Sequence, residues 1–148
     1  MNFLLVDRIV SLQPGVNIVA AHDVGADEDY FGDHFPGFPV VPGVLLTEMM
    51  GQAAAKCLIA ERNDRGKPIL AKIQDATFRQ WVLPGQSIEL RATITASQSR
   101  FSQADCESSV LGTVVATAKL MFAFAPGDPF LPNPRDDVLE RFLAKGPT

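Results

Sequence analysis

One histidine and one glutamate stand out for what they could do together. Residues 31 to 52 run Phe-Gly-Asp-His-Phe-Pro-Gly-Phe-Pro-Val-Val-Pro-Gly-Val-Leu-Leu-Thr-Glu-Met-Met-Gly-Gln, which sets His34, one of two histidines in the chain, just ahead of an apolar helix carrying a lone carboxylate, Glu48. A neutral imidazole can take a proton near physiological pH and return it. A carboxyl group among Val44, Leu45, Leu46, Met49 and Met50 is costly to ionise, so burial would raise its pKa and let it donate. The pair reads as acid/base chemistry. Gln52, one helical turn beyond Glu48, could hydrogen-bond that carboxyl and hold its orientation. Each residue also has a plainer reading: His34 as a structural loop residue, Glu48 as half of a buried ion pair with Lys56 or an arginine across an interface, and Gln52 as a satisfied core amide.

These side chains need elements that aim them. From Gly25 to Pro42 the chain reads as a loop in which Asp27-Glu28-Asp29 leads into Pro36, Pro39 and Pro42, interleaved with Gly32, Gly37 and Gly43. Each proline fixes its own φ and biases its predecessor toward extended geometry, so the loop is long but stiff. Pro42 or Gly43 starts a helix predicted to run to Glu61 or Arg62, where Asn63, Asp64 and Gly66 break it. Between Val44 and Ala60 its only carboxylate, ammonium or amide side chains are Glu48, Gln52 and Lys56, four apart, which stacks them as one polar stripe on an otherwise buried cylinder.

Around that helix the pattern is extended. Phe3 to Ser11 and Asn17 to Val24 read as strands joined at Pro14-Gly15, and Ile69 to Phe78, Ser87 to Ala96, Phe101 to Ser109 and Thr113 to Phe124 as four more. The tail from Ala125 holds four prolines and then a short amphipathic helix, Asp136 to Leu143. The expectation is a single α+β domain of 148 residues, core at about 3–125 and Pro-rich extension at 126–148, with an antiparallel sheet curled around one apolar helix.

Composition narrows the partners. A net charge of -4 without any Lys/Arg run argues against nucleic acid or an anionic membrane. The opening residues meet Asp7 and Arg8 at once, unlike a signal peptide, and no apolar run reaches the roughly 18 residues of a span, so a cytoplasmic location is expected. Cys57 and Cys106 read as buried free thiols, and His22 as a structural strand residue. Two histidines and two unpaired cysteines make no recognisable ligand set, so neither a metal nor a cofactor is expected.

His34-Phe35-Pro36-Gly37, Pro42-Gly43-Val44-Leu45 and Glu48-x-x-x-Gln52 closely resemble the active-site segment of the FabZ/FabA group of 3-hydroxyacyl-acyl-carrier-protein dehydratases, in order and spacing. Leu4-Leu5-Val6-Asp7-Arg8, Ala76-Thr77-Phe78-Arg79 with Val82-Leu83-Pro84-Gly85, and Ala118-Lys119-Leu120-Met121-Phe122 extend the similarity over roughly residues 3 to 125. The resemblance implies a hot-dog fold and a homodimer, with higher oligomers open, whose active sites are shared: the histidine from one subunit, the carboxylate helix from the other. Glutamate at position 48, where FabA-type enzymes carry aspartate, is similar to the FabZ branch. Trp81 stands where the family often has proline.

Dehydration requires a proton to leave C2 and a hydroxyl to leave C3. On this reading His34 takes the first and Glu48 protonates the second, with Gln52 orienting Glu48. The helix N-terminus at Gly43 and Val44 offers N–H groups to the thioester oxygen, and glycine at 43 permits close approach. Phe35, Phe38, Pro42, Phe78 and Trp81 are the candidate pocket residues, Phe78 and Trp81 being equally readable as core. The implied partner is an acyl carrier protein, with coenzyme A thioesters an open alternative. Arg62, Lys72, Arg79 and Arg100 are the candidate basic contacts to an acidic carrier. An acyl-thioesterase on the same fold and a non-catalytic acyl-binding subunit are the competing readings.

Overall fold

The computed structural model describes residues 2–61, 65–125 and 136–145. Strands β1 (Arg8–Gln13) and β2 (Asn17–Asp23) lead through the stiff loop to helix α1 (Gly43–Ile59). Strands β3 (Lys67–Phe78), β4 (Ser87–Ser97), β5 (Phe101–Val110) and β6 (Thr113–Ala125) follow, and α2 (Asp137–Ala144) lies near the C-terminus. The six strands form one fully antiparallel sheet in the order β1-β2-β4-β5-β6-β3.

Alternation in the strands is what lets the sheet cover α1. Ile88, Leu90 and Ala92 of β4, Ala104 and Cys106 of β5, and Leu120 and Phe122 of β6 point inward and are buried, while their neighbours face out. The helix packs against β2, β3, β4, β5 and β6. Met49, Met50, Ala53, Ala54 and Cys57 are fully buried there, each large apolar side chain contributing about 1.5–3 kcal/mol. Cys57 and Cys106 are free and buried, as expected.

Two strands differ by two residues or more from the sequence-based expectation. The first strand begins at Arg8 rather than Phe3 and runs to Gln13 rather than Ser11. Residues 3 to 7 lack the alternation of a half-buried strand, since Leu5 and Val6 are both buried, and the backbone at Phe3 and Leu5 bonds to the side chain of Gln52 instead of to a strand. At the other edge β3 starts two residues earlier than expected, at Lys67, and includes Pro68. An edge strand tolerates a proline because its outward N–H has no ladder partner to lose. The helix, expected to reach Glu61 or Arg62, ends at Ile59 with Ala60 as its cap.

The polar stripe on α1 divides its attention between the chain ends. Gln52 reaches the N-terminal segment, and Lys56, buried, donates to Asp136 Oδ2 at 2.6 Å. Asp136 also caps α2, its Oδ1 accepting from Leu139 N at 3.0 Å, and Leu139 is buried in the core. The tail helix is therefore pinned to the central one. This also overturns one reading of Glu48: Lys56 is not its ion-pair partner, because two turns further along the stripe its ammonium is paired with Asp136.

Candidate active site

His34 is held by a miniature hairpin that the Pro/Gly pattern builds. Phe35 and Phe38 exchange backbone hydrogen bonds, each 2.8 Å, around Pro36-Gly37, and Gly37 has φ +76, which glycine adopts without steric cost. Outside that turn Val40 N–H donates to the His34 carbonyl at 3.0 Å, and His34 N–H donates to the Tyr30 carbonyl at 3.0 Å. Tyr30 belongs to a short 3-10 turn, Asp29–Gly32, whose Phe31 is buried. Val40 and Val41 are buried as well, and Val41 N–H is tied to the Val82 carbonyl at 2.8 Å. A ring mounted this way has little freedom.

The ring itself is committed at one nitrogen. His34 Nδ1 lies 3.0 Å from the Val40 carbonyl oxygen. A carbonyl only accepts, so Nδ1 carries the proton, and in the neutral ring Nε2 keeps its lone pair. That is the tautomer a general base needs. The half-buried ring stacks on Phe35 at 4.0 Å between centroids.

Glu48 is half-buried on α1, five residues after Gly43. Its Oε1 accepts a hydrogen bond from Gln52 Nε2 at 3.1 Å, so the orienting contact expected from the four-residue spacing is present. The Gln52 amide also satisfies the backbone of Phe3 and Leu5. Within one chain no hydrogen bond joins His34 to Glu48 among the described residues.

Gly43 and Val44 form the first turn of α1, where N–H groups have no intrahelical acceptor, and Pro42 provides no side-chain cap. Val44 is 75 % exposed. A Cβ at Gly43 would meet the Phe78 ring at 3.2 Å. Close approach at Gly43 is by the end of β3.

The pocket candidates Phe35, Phe38, Phe78 and Trp81 are all exposed in the single chain, Trp81 at 71 %, which removes the core reading of Phe78 and Trp81. They are not scattered. Phe38 meets Trp81 edge-on at 4.7 Å, Phe78 lies against Gly43, and half-buried Pro42 joins the loop to the helix. Of the basic candidates, Arg79 directly follows Phe78, whereas Arg100 accepts from Phe124 N–H, opposite Pro68 at the far end of β3. At roughly 3.3 Å per residue the two lie on the order of 30 Å apart in one chain. Lys72 is exposed on β3, and Arg62 lies outside the described residues.

Burial raises both cysteine thiols, Cys106 to about 12, with Asp105 adding to the effect. Tyr30 is likewise pushed up to about 12, by burial first and then by Glu28 and Asp29. His22, buried in β2, has Nδ1 3.0 Å from Asp7 Oδ2 without hydrogen-bond alignment, a pairing not visible from sequence because Asp7 lies on the segment preceding β1. Among the described residues no group of three or more His, Cys, Asp or Glu side chains is placed to hold a metal ion.

Comparisons with known proteins identify the family and the fold. A relative from Ruminiclostridium cellulolyticum, named 3-hydroxyacyl-(acyl-carrier-protein) dehydratase FabZ, is 38% identical over 82% of this chain and 86% of its own length. Another of that name, from Symbiobacterium thermophilum, is 38% identical over 89% of this chain and 92% of its own. Among solved structures, the dehydratase heterocomplex ApeI:P from Xenorhabdus doucetiae matches 95% of this chain and 90% of that one, with a TM-score of 0.67 at 17% identity. The uncharacterized protein PH1136 from Pyrococcus horikoshii matches 88% and 92%, with a TM-score of 0.66 at 14% identity. The structural likenesses establish the hot-dog fold. A family model described as a FabA-like domain matches residues 1–119, and with the relatives above it places the chain in the FabA-like family.

Proposed function

We propose that this protein is a hydro-lyase that converts a 3-hydroxyacyl thioester to the trans-2-enoyl thioester in acyl-chain biosynthesis, with His34 and Glu48 as its acid/base pair. The observation that carries this reading is the His34 Nδ1 contact to the Val40 carbonyl, which leaves Nε2 as the proton acceptor in a chain whose curated relatives bear a dehydratase name. His34 Nε2 takes the proton from C2, and the electron pair left there forms the C2–C3 double bond as the C3–O bond breaks. Glu48 gives its proton to the departing hydroxyl, which leaves as water. N–H groups of Gly43 and Val44 stabilise the charge that gathers on the thioester oxygen.

The working unit on this reading is a homodimer with shared sites. Edge strand β3 exposes Ile69, Ile73 and Phe78, and α1 exposes Val44 and Ile59 on the side bearing half-buried Glu48. An apolar edge strand is an aggregation hazard unless something pairs with it. A second copy laid against β3 and this helix face supports bringing His34 of one chain to Glu48 of the other. Arg79, at the pocket end of β3, would be the first contact for an acidic acyl carrier protein. A cytoplasmic location accords with a chain in which, among the described residues, no helix is long and apolar enough to cross a membrane.

The decisive assay offers the pure protein 3-hydroxyacyl thioesters of several chain lengths, on acyl carrier protein and on coenzyme A, and follows enoyl absorbance. Enoyl product without release of free thiol is expected. Thiol release without enoyl product would make the protein a thioesterase, and tight binding without either would make it an acyl-binding subunit.

A further inference from the structure

The carboxamide of Gln52 makes three hydrogen bonds, and only one of them is to Glu48. Nε2 donates to the Phe3 carbonyl at 2.7 Å and to Glu48 Oε1 at 3.1 Å, while Oε1 accepts from Leu5 N–H at 2.9 Å. This network fixes which end of the amide is which. Flipped, it would set its oxygen against two acceptors and its NH2 against a donor. In an extended segment the C=O of one residue and the N–H of the residue two positions on face the same side. Gln52 therefore occupies the place of a neighbouring strand's peptide, and the N-terminal segment pairs with a side chain where it could have paired with a strand.

The segment is anchored just beyond these contacts. Leu5 and Val6 are buried, and Asp7 N–H donates to the Ala21 carbonyl at 2.8 Å. Phe3 and Leu4, in contrast, expose their side chains. What they offer the site is backbone alone.

We propose that the main chain of Phe3–Leu5 is a positioning element of the active site. It holds Gln52, and Gln52 holds Glu48 with Oε1 committed as an acceptor. An amide N–H favours the carbonyl oxygen of a neutral carboxyl over its hydroxyl, so the transferable proton sits on Oε2, the oxygen left to face substrate. This inference rests on the reading of Glu48 as the acid of a dehydration. It adds that the acid is aimed from the N-terminal segment, 47 residues away along the chain from Gln52 at the Leu5 contact.

The test compares the intact chain with a form lacking residues 2–4, in which Met1 joins Leu5, with Gln52→Leu, and with both changes together. The shortened form should lose about tenfold in kcat with KM changed less than about twofold, the pattern of an interaction used in the transition state. The double variant should be no slower than Gln52→Leu alone, because both changes act on one carboxyl. Wild-type kcat in the shortened form, or losses that multiply in the double variant, would overturn the proposal. If the shortened form does not fold by circular dichroism, replacing Leu5 by its α-hydroxy acid removes only the N–H. A severalfold fall in kcat supports the proposal there and an unchanged kcat sinks it. Absence of turnover in the intact chain would instead count against the dehydratase reading. The strap is then judged by NMR: the Gln52 side-chain amide and Glu48 carboxyl resonances must both move in the shortened or ester form, and unmoved resonances refute it.

Discussion

His34 Nδ1 donates to the carbonyl oxygen of Val40 across 3.0 Å, and this one contact selects the tautomer of the ring. Because the acceptor is a main-chain atom of a buried valine, no side-chain substitution nearby deletes it directly. His34→Ala should lower kcat about 10²–10⁴-fold, the usual worth of a positioned acid or base. Thermal unfolding followed by circular dichroism should stay within a few degrees of the parent. Full activity in this variant would remove His34 from the mechanism.

Glu48→Gln keeps the shape of the side chain and an acceptor for Gln52 Nε2 but has no proton to give. Turnover should fall by about 10²-fold or more with the fold retained. Burst-free steady-state kinetics on the best substrate, together with an unchanged oligomer by light scattering, would separate loss of chemistry from loss of assembly.

Gly43→Ala tests the approach of Phe78. The new methyl would meet the ring at 3.2 Å, tighter than ordinary contact, so the ring or the helix start must shift. Phe78 is exposed and its ring can turn aside, so the cost should stay below the roughly 1–3 kcal/mol of overpacking in a filled core. Combining it with Phe78→Leu should recover part of the lost stability in urea unfolding, and additive losses would show that the two positions do not press on each other.

The ion pair between Lys56 and Asp136 should hold α2 in place without touching the chemistry. Asp136→Ala removes both the helix cap and the partner of a buried ammonium, with an expected cost of about 2–4 kcal/mol. Asp136→Asn keeps the cap and should cost less. Limited proteolysis should cut Asp136→Ala first within the α2 region, while kcat/KM stays within about twofold of the parent.

Both cysteines should resist a thiol reagent in the native protein at pH 8 and react promptly in denaturant. Their folded pKa values are raised by burial, so the stability this contributes is complete below the unfolded thiol value of about 8.5 and is lost as pH rises toward the folded value, about 12 for Cys106. Stability should decline between pH 8.5 and 11. The decline should be smaller in Cys57→Ala/Cys106→Ala when both proteins are compared by urea midpoint.

Much of this site is written in local pattern. The Pro/Gly spacing from Pro36 to Gly43 determines a stiff turn by fixing φ angles, and the i, i+4 spacing of Glu48 and Gln52 determines their contact by helix geometry. Alternation in β4 and β5 likewise assigns their buried faces. These signals are short-ranged, so the chain carries them whatever its overall shape. What lay beyond reach of sequence were pairings between distant segments. Nothing in Gln52 announces the backbone of Phe3 and Leu5 as its partner, since backbone groups are the same in every residue. Spacing sets Lys56 two turns from Glu48 on one stripe and names no partner for it, and folding brought Asp136 to it from 80 positions away. Gly43 was legible as a site of close approach, but only the position of β3 decided that the approaching group is the Phe78 ring. Sequence determined which groups could do acid/base chemistry and how their own turn or helix holds them; tertiary structure decided what stands behind each one, because that depends on which remote surfaces are buried together.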